Sequence, residues 1–184
     1  MTRVAIIGNA GGGKSTLSRK LSQARRLPLY AIDRIQWKPG WLPAPADELQ
    51  TRHDQILAQE RWILDGWGTW ELIAARFAAA DTIILIDHPL SIHYWWAIKR
   101  QLACLFRPRP DGPDGCPMLP MTWPLLKMIW TIHKHARPQL LAMLQDYRIS
   151  KQVFHIRSPQ ELRDFVERYC LDNDDDTVFR KDYD

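Results

Sequence analysis

The stretch Gly8-Asn9-Ala10-Gly11-Gly12-Gly13-Lys14-Ser15 satisfies every fixed position of the pattern G-x-x-x-x-G-K-[ST]. It constrains the fold tightly, because the pattern works only between a strand and a helix. Val4-Ala5-Ile6-Ile7 before it is a short β-branched run of the kind buried in parallel sheets. Ser15 to Ala24 after it reads as a helix, with Leu17 and Leu21 one turn apart. Glycines let successive main-chain N–H groups turn inward around a dense anion, and the helix N-terminus adds its positive end. The spacing therefore predicts a triphosphate site built from Gly8 to Thr16. Lys14 would reach the β- and γ-phosphates and the Ser15 hydroxyl would ligate Mg²⁺.

A chain of 184 residues is expected to form one domain with a sizeable core. The first strand begins almost at the N-terminus, so no signal peptide is expected. No apolar run long enough to span a bilayer is free of charges. Cys104, Cys116 and Cys170 are scattered thiols without a C-x-x-C pair, which fits a reducing compartment, and a cytoplasmic location is expected. Net charge is +4, but Asp172 to Asp184 holds six Asp against Arg180 and Lys181, so the body carries about +8 once that −4 is removed. Such an excess suits phosphate-bearing ligands, small or polymeric.

Further along, Leu27 to Ile32 reads as a second strand delivering Asp33 to the end of the sheet where ligands bind. A proline-rich loop from Trp37 to Pro45 and a helix from Asp47 to Glu60 follow. Arg61 to Asp65 is a third strand ending in an acid, and Asp65 is the first choice for a Mg²⁺ ligand. A helix over Thr69 to Ala79 leads to the strand Asp81 to Asp87, whose last residue is a second candidate acid or a turn former. Leu90 to Phe106 reads as an amphipathic helix whose stripe Ile92, Trp95, Ile98, Leu102 and Leu105 is expected to pack on the sheet rather than on a membrane. Arg107 to Pro117 is irregular, and Thr122 to Gln145 is helical with a kink or division at Pro138. Lys151 to Ile156 is the fifth strand. Ser158-Pro159-Gln160-Glu161 is a capping box opening a last helix to about Tyr169, and the acidic tail is too poor in apolar residues to fold.

The phosphate loop, Ile32-Asp33 with Trp37-Lys38-Pro39-Gly40-Trp41, Leu64-Asp65-Gly66, Leu85-Ile86-Asp87-His88-Pro89 and Arg157-Ser158 together resemble the adenylate-kinase-like P-loop kinases. Within that group the chain looks most like the bacterial topology-modulation proteins, over about residues 3 to 170. The resemblance implies a three-layer α/β/α P-loop NTPase fold, with a five-stranded parallel sheet in the order 2-3-1-4-5 and a helical lid insertion at about 100–137. Residues 1–171 would be one P-loop kinase-like domain, and 172–184 a disordered acidic tail. ATP would lie on the phosphate loop with Arg157 near its adenine, and the acceptor near Asp33, Gly66 and Arg76. Lys14 with the lid arginines Arg100 and Arg137, and with Arg107, would neutralise the transferring phosphoryl group. Trp96 departs from the pattern by standing where relatives usually carry arginine.

The function expected from these residues is transfer of the ATP γ-phosphate, with Mg²⁺, to a nucleoside monophosphate or another small hydroxyl or phosphate acceptor. Neither kind of acceptor is singled out. A GTPase is disfavoured: Asp65-Gly66-Trp67-Gly68 matches D-x-x-G, but no N-K-x-D follows. A nucleotide-regulated DNA-binding ATPase is the rival from another class, suggested by the basic, Trp-rich lid region and by the family resemblance, although no helix-turn-helix is recognisable. No membrane partner is expected.

Overall fold

The structure is a computed structural model and describes residues 1–105 and 112–171. The expectations placed on Arg107 and the acidic tail lie outside those residues. Seven strands and eight α-helices are found among the described residues. The strands are β1 (Arg3–Gly8), β2 (Leu29–Ala31), β3 (Trp37–Lys38), β4 (Leu42–Pro43), β5 (Trp62–Asp65), β6 (Thr82–Ile86) and β7 (Gln152–Ile156). The helices are α1 (Lys14–Arg25), α2 (Ile32–Gln36), α3 (Ala46–Leu57), α4 (Trp70–Ala79), α5 (Leu90–Ala103), α6 (Thr122–Thr131), α7 (Arg137–Tyr147) and α8 (Pro159–Cys170).

Five strands form one parallel sheet, and the central ones, β1, β5 and β6, are buried on both faces as nearly continuous apolar runs. Alternation along β1 divides the core. Val4 and Ile6 face α1 and α8 with Leu17, Leu21, Leu162 and Phe165, while Ala5 and Ile7 face α3, α4 and α7 with Ile56, Ile73, Phe77 and Leu140. This gives three layers. The main sheet runs β2-β5-β1-β6-β7, where 2-3-1-4-5 was expected: the five strands stand in the same spatial order, and only their numbering differs. Two short strands that the sequence did not announce, β3 and β4, pair only with each other and enter the count ahead of β5.

The expected second strand is also shorter. Only Leu29–Ala31 pairs with β5, at the sheet edge, and Asp33 lies in the first turn of α2 rather than at a strand end. A three-residue edge strand has hydrogen-bonding partners on one side alone, and the chain turns helical as soon as that partner ends. The expected cap forms with its return bond one residue earlier than in a regular capping box: Glu161 N–H donates to Ser158 Oγ at 3.1 Å, and Arg157 N–H, not that of Ser158, donates to Glu161 Oε2 at 2.7 Å.

The stripe on α5 does not pack on the sheet. Both sheet faces are already covered, and α5 packs instead against α6 and the phosphate loop through Ala97, Leu125 and Ile129. Trp95, Ile98, Leu102 and Leu105 face outward. Between α6 and α7 the backbone widens into a π turn at Ile132–Ala136, where Arg137 N–H donates to Ile132 O. Pro138, without an N–H, opens α7 one residue later. This turn presents Arg137 to the end of β6.

Candidate functional site

Beyond the C-terminal ends of the sheet strands lies a cleft of about 920 Å³. Gly8, Ala10 to Thr16, Asp33, Asp65, Gly66 and Arg100 all line it, so most of the residues singled out by sequence meet there. Asn9 stands just behind, tying the loop down: its Nδ2 donates to Ile129 O at 2.8 Å and its Oδ1 accepts from Ala10 N–H at 2.8 Å.

The glycines are demanded by the surroundings. Gly8 has φ +148°, and a Cβ there would sit 2.2 Å from Ile86 O. Gly11 has φ +69°, and its Cβ would sit 2.4 Å from His93 O, where α5 crosses the loop. The N-cap of α1 is Gly13 in the left-handed region, which has no side chain to cap the first turn. That is the geometry of an anion site. Lys14 Nζ donates to Asn9 O at 2.8 Å, which holds the ammonium folded back over the loop.

Asp65 ends β5 in register with Ile6 of β1 and Ala31 of β2, and is almost fully buried. Its carboxylate and the Ser15 hydroxyl are the hard oxygen donors that Mg²⁺ prefers, and both line the same cleft. The residues present thus fit the metal.

Two expected ligand contacts are not what the fold builds. Arg76 is fully buried behind the cleft wall. It donates from Nη1 to Gly66 O at 3.0 Å and from Nη2 to Trp67 O at 2.9 Å, with Asp65 as its nearby opposite charge. Burial pulls its pKa down to about 10, against the pull of Asp65. Its place is beneath the turn after β5, so direct contact with an acceptor is corrected to a supporting role. Arg137 is paired in two-pronged fashion with Asp87, Nε to Oδ1 at 2.6 Å and Nη2 to Oδ2 at 2.9 Å, and Asp87 also accepts from His155 Nε2 at 2.8 Å. Neither Arg137 nor Asp87 lines the main cleft. The pair gives a buried carboxylate at a strand end the counter-charge it needs. Arg157 is exposed beside Glu161 and does not line the cleft.

Sequence reasoning missed other features of the cleft. Arg19 and Lys99 join Arg100 on it. Arg19 lies one helical turn after Ser15, a spacing that could have found it. Trp37 and Trp41 meet edge to face at 5.8 Å on the hairpin β3–β4 and line the cleft with Trp67 and Trp96. Main-chain and side-chain bonds fasten this hairpin to the opposite segment: Gly40 N–H to Gly115 O at 2.9 Å and Trp41 Nε1 to Pro117 O at 2.8 Å. Met118, Met121 and Met128 complete an apolar wall.

His93 is also absent from the residues that spacing singles out. Its Nδ1–H donates to Ala10 O at 2.9 Å, bracing the phosphate loop from below. The ring is buried, and desolvation, with Lys14 close by, lowers its pKa to about 4; Asp87 opposes and His88 adds to the fall. Since the folded value lies below the unfolded one, the unfolded chain binds the proton more readily. Stability held by neutral His93 is fully present above about pH 6.5 and is lost as pH falls through about 4, by on the order of 3 kcal/mol. Urea unfolding of the His93→Asn variant, which keeps a donor near Nδ1, should show a shallower loss of stability between these values than the parent. An unchanged slope would assign that loss to other groups such as His53 and His88, whose pKa values burial also lowers.

No protein-family model matches the chain, and no curated protein matches it. Solved structures do. A gluconokinase from Sinorhizobium meliloti 1021 superposes with a TM-score of 0.56 at 12% identity, over 92% of this chain and 89% of that one. A shikimate kinase from Acinetobacter baumannii in complex with shikimate gives a TM-score of 0.51 at 16% identity, over 91% and 90% of the two chains. At such identities the likeness is one of fold.

Proposed function

We propose that the chain is an ATP-dependent phosphotransferase in which residues 1–171 form one P-loop kinase-like unit and the region 100–137 serves as its lid. The observation that carries this reading is the convergence of Lys14, Ser15, Asp65 and Asp33 on one cleft whose floor is an uncapped helix N-terminus. ATP lies with its phosphates on Gly8 to Thr16, and its adenine extends past the cleft toward Arg157. Asp33 receives the acceptor's hydroxyl, and the Gly66 turn, held by Arg76, shapes the acceptor's side of the cleft. Lys14, Arg100 and Arg19 supply the positive charge that the transferring group needs. Mg²⁺, when bound by Ser15 and Asp65, neutralises phosphate charge.

The fold shared with a gluconokinase and a shikimate kinase supports phosphoryl transfer to a small acceptor, and the sequence resemblance to topology-modulation proteins narrows the family. The Trp37, Trp41 and Met118 lining favours an acceptor with a flat or apolar part over a bare polyol. The rival reading, a nucleotide-regulated DNA-binding protein, draws no support from the cleft. The test is incubation with ATP and Mg²⁺ and a panel of nucleoside monophosphates and small hydroxylated metabolites. ADP should appear in step with one phosphorylated acceptor; ADP with free phosphate alone defeats the reading.

A further inference from the structure

The outward face of the α5–α6 pair carries more than scattered apolar residues. Trp95 is 59% exposed, Leu102 57%, Trp123 65% and Trp130 51%, with Ile98 and Leu105 also exposed. The two helices are antiparallel, since Gln101 Nε2 donates to Met118 O and Tyr94 OH to Leu126 O. At about 100° per residue, each helix has three sectors. One sector packs inward (Ala97 on α5; Leu125 and Ile129 on α6), and one lines the cleft (Trp96 and Arg100; Met121 and Met128). The third holds Trp95, Ile98 and Leu102 on α5, and Trp123 and Trp130 on α6. Two antiparallel helices are related by a near two-fold axis through their contact, so sectors opposite the cleft on each lie on the same side of the pair. The exposed tryptophans therefore form one surface.

Charge says what covers it. There is no Asp or Glu from His88 to Leu105, nor from Gly115 to Gln145. Lys127 and Lys134 are exposed on this segment, and the Lys127 ammonium lies 5.6 Å above the Trp123 ring. We propose that this face docks on an anionic lipid bilayer, with the tryptophans seated at the headgroup boundary and the lysines against acidic headgroups, as interfacial amphipathic helices do. The protein lies on the membrane without crossing it: no helix of the described residues is long and apolar enough to span one. A second copy is the poorer occupant. A two-fold pair through this face would bring the lysines of both copies together with no acid on either helix to offset them.

The experiment is co-sedimentation of the full chain with phosphatidylcholine vesicles, with and without phosphatidylglycerol. Binding should require the anionic lipid, with an affinity at least about tenfold higher than for phosphatidylcholine alone, and raised salt should weaken it. Lys127→Glu with Lys134→Glu, and separately Trp95→Ser with Trp123→Ser and Trp130→Ser, should each lower it by a similar factor. Urea unfolding of the charge variant checks that its fold is intact, since both lysines are exposed. Absence of binding to anionic vesicles, binding indifferent to lipid charge, or a stable soluble dimer that shields Trp95 from quencher would each overturn the proposal.

Discussion

Lys14→Ala is expected to lower phosphoryl transfer by about 10²–10³ in kcat, the loss typical of removing one group that stabilises charge developing in a transition state. Stability should hardly change. The ammonium is only half-buried, so water takes over much of what its bond to Asn9 O contributes. The contrast between a large kinetic effect and a small one on the urea midpoint is the diagnostic. In the ligand-free fold Lys14 bonds to the loop itself, so ATP must draw it away from a main-chain carbonyl. Transfer at the parental rate in this variant would remove the assigned site. A matching collapse of stability would mean that the loss of activity reports on folding.

Arg76→Met should give the opposite profile, with a stability loss of about 3–5 kcal/mol, as when one member of a buried charge pair is removed. Three deficits add together. The buried Asp65 carboxylate loses its opposite charge, and the carbonyls of Gly66 and Trp67 lose their donors. The turn they belong to also runs through left-handed backbone at Gly66 (φ +121°) and Gly68 (φ +82°), so it has little reason to keep its shape unaided. Arg76→Lys should recover only part of the loss, because one ammonium cannot serve two carbonyls in the fixed geometry of a guanidinium. Urea unfolding of the three proteins decides it. Parental stability in Arg76→Met would show that Asp65 finds its compensation elsewhere.

These two residues mark where reading from sequence succeeds and where it stops. The phosphate loop is legible because its chemistry is local: a strand, a run of glycines and a helix start lie within thirteen residues, and each neighbour acts on the next. Asp65 is legible for a related reason, as an acid that closes an apolar strand adds nothing to packing and costs desolvation unless a cation or a donor meets it. Arg76 and Arg137 are ligand-facing in the sequence reading because the family resemblance puts one beside the acceptor and the other in the lid. Their real partners are Gly66 and Trp67 for one and Asp87 for the other, and the Asp87 contact spans fifty positions of chain. Sequence spacing carries no signal for such a contact. The α5 stripe fails for a different reason: periodicity shows that a helix has an apolar side but not what stands opposite it. Here the sheet is already covered by α1 and α8 on one face and by α3, α4 and α7 on the other. The hairpin β3–β4 stays hidden because proline-rich composition reads as loop, and two-residue strands leave no periodic trace.

At Ile132–Ala136 the chain accommodates one residue more than a regular helix would, and one residue is about 100° of azimuth. Upstream positions are thereby indexed to the cleft, as Met121 and Met128 are, and downstream positions to the sheet, as Leu140 and Leu144 are. Excising a single residue there would straighten the rod yet swing the guanidinium of Arg137 away from Asp87. Segment length at this point and the pairing at the end of β6 are therefore mechanically coupled, so that a change in one displaces the other.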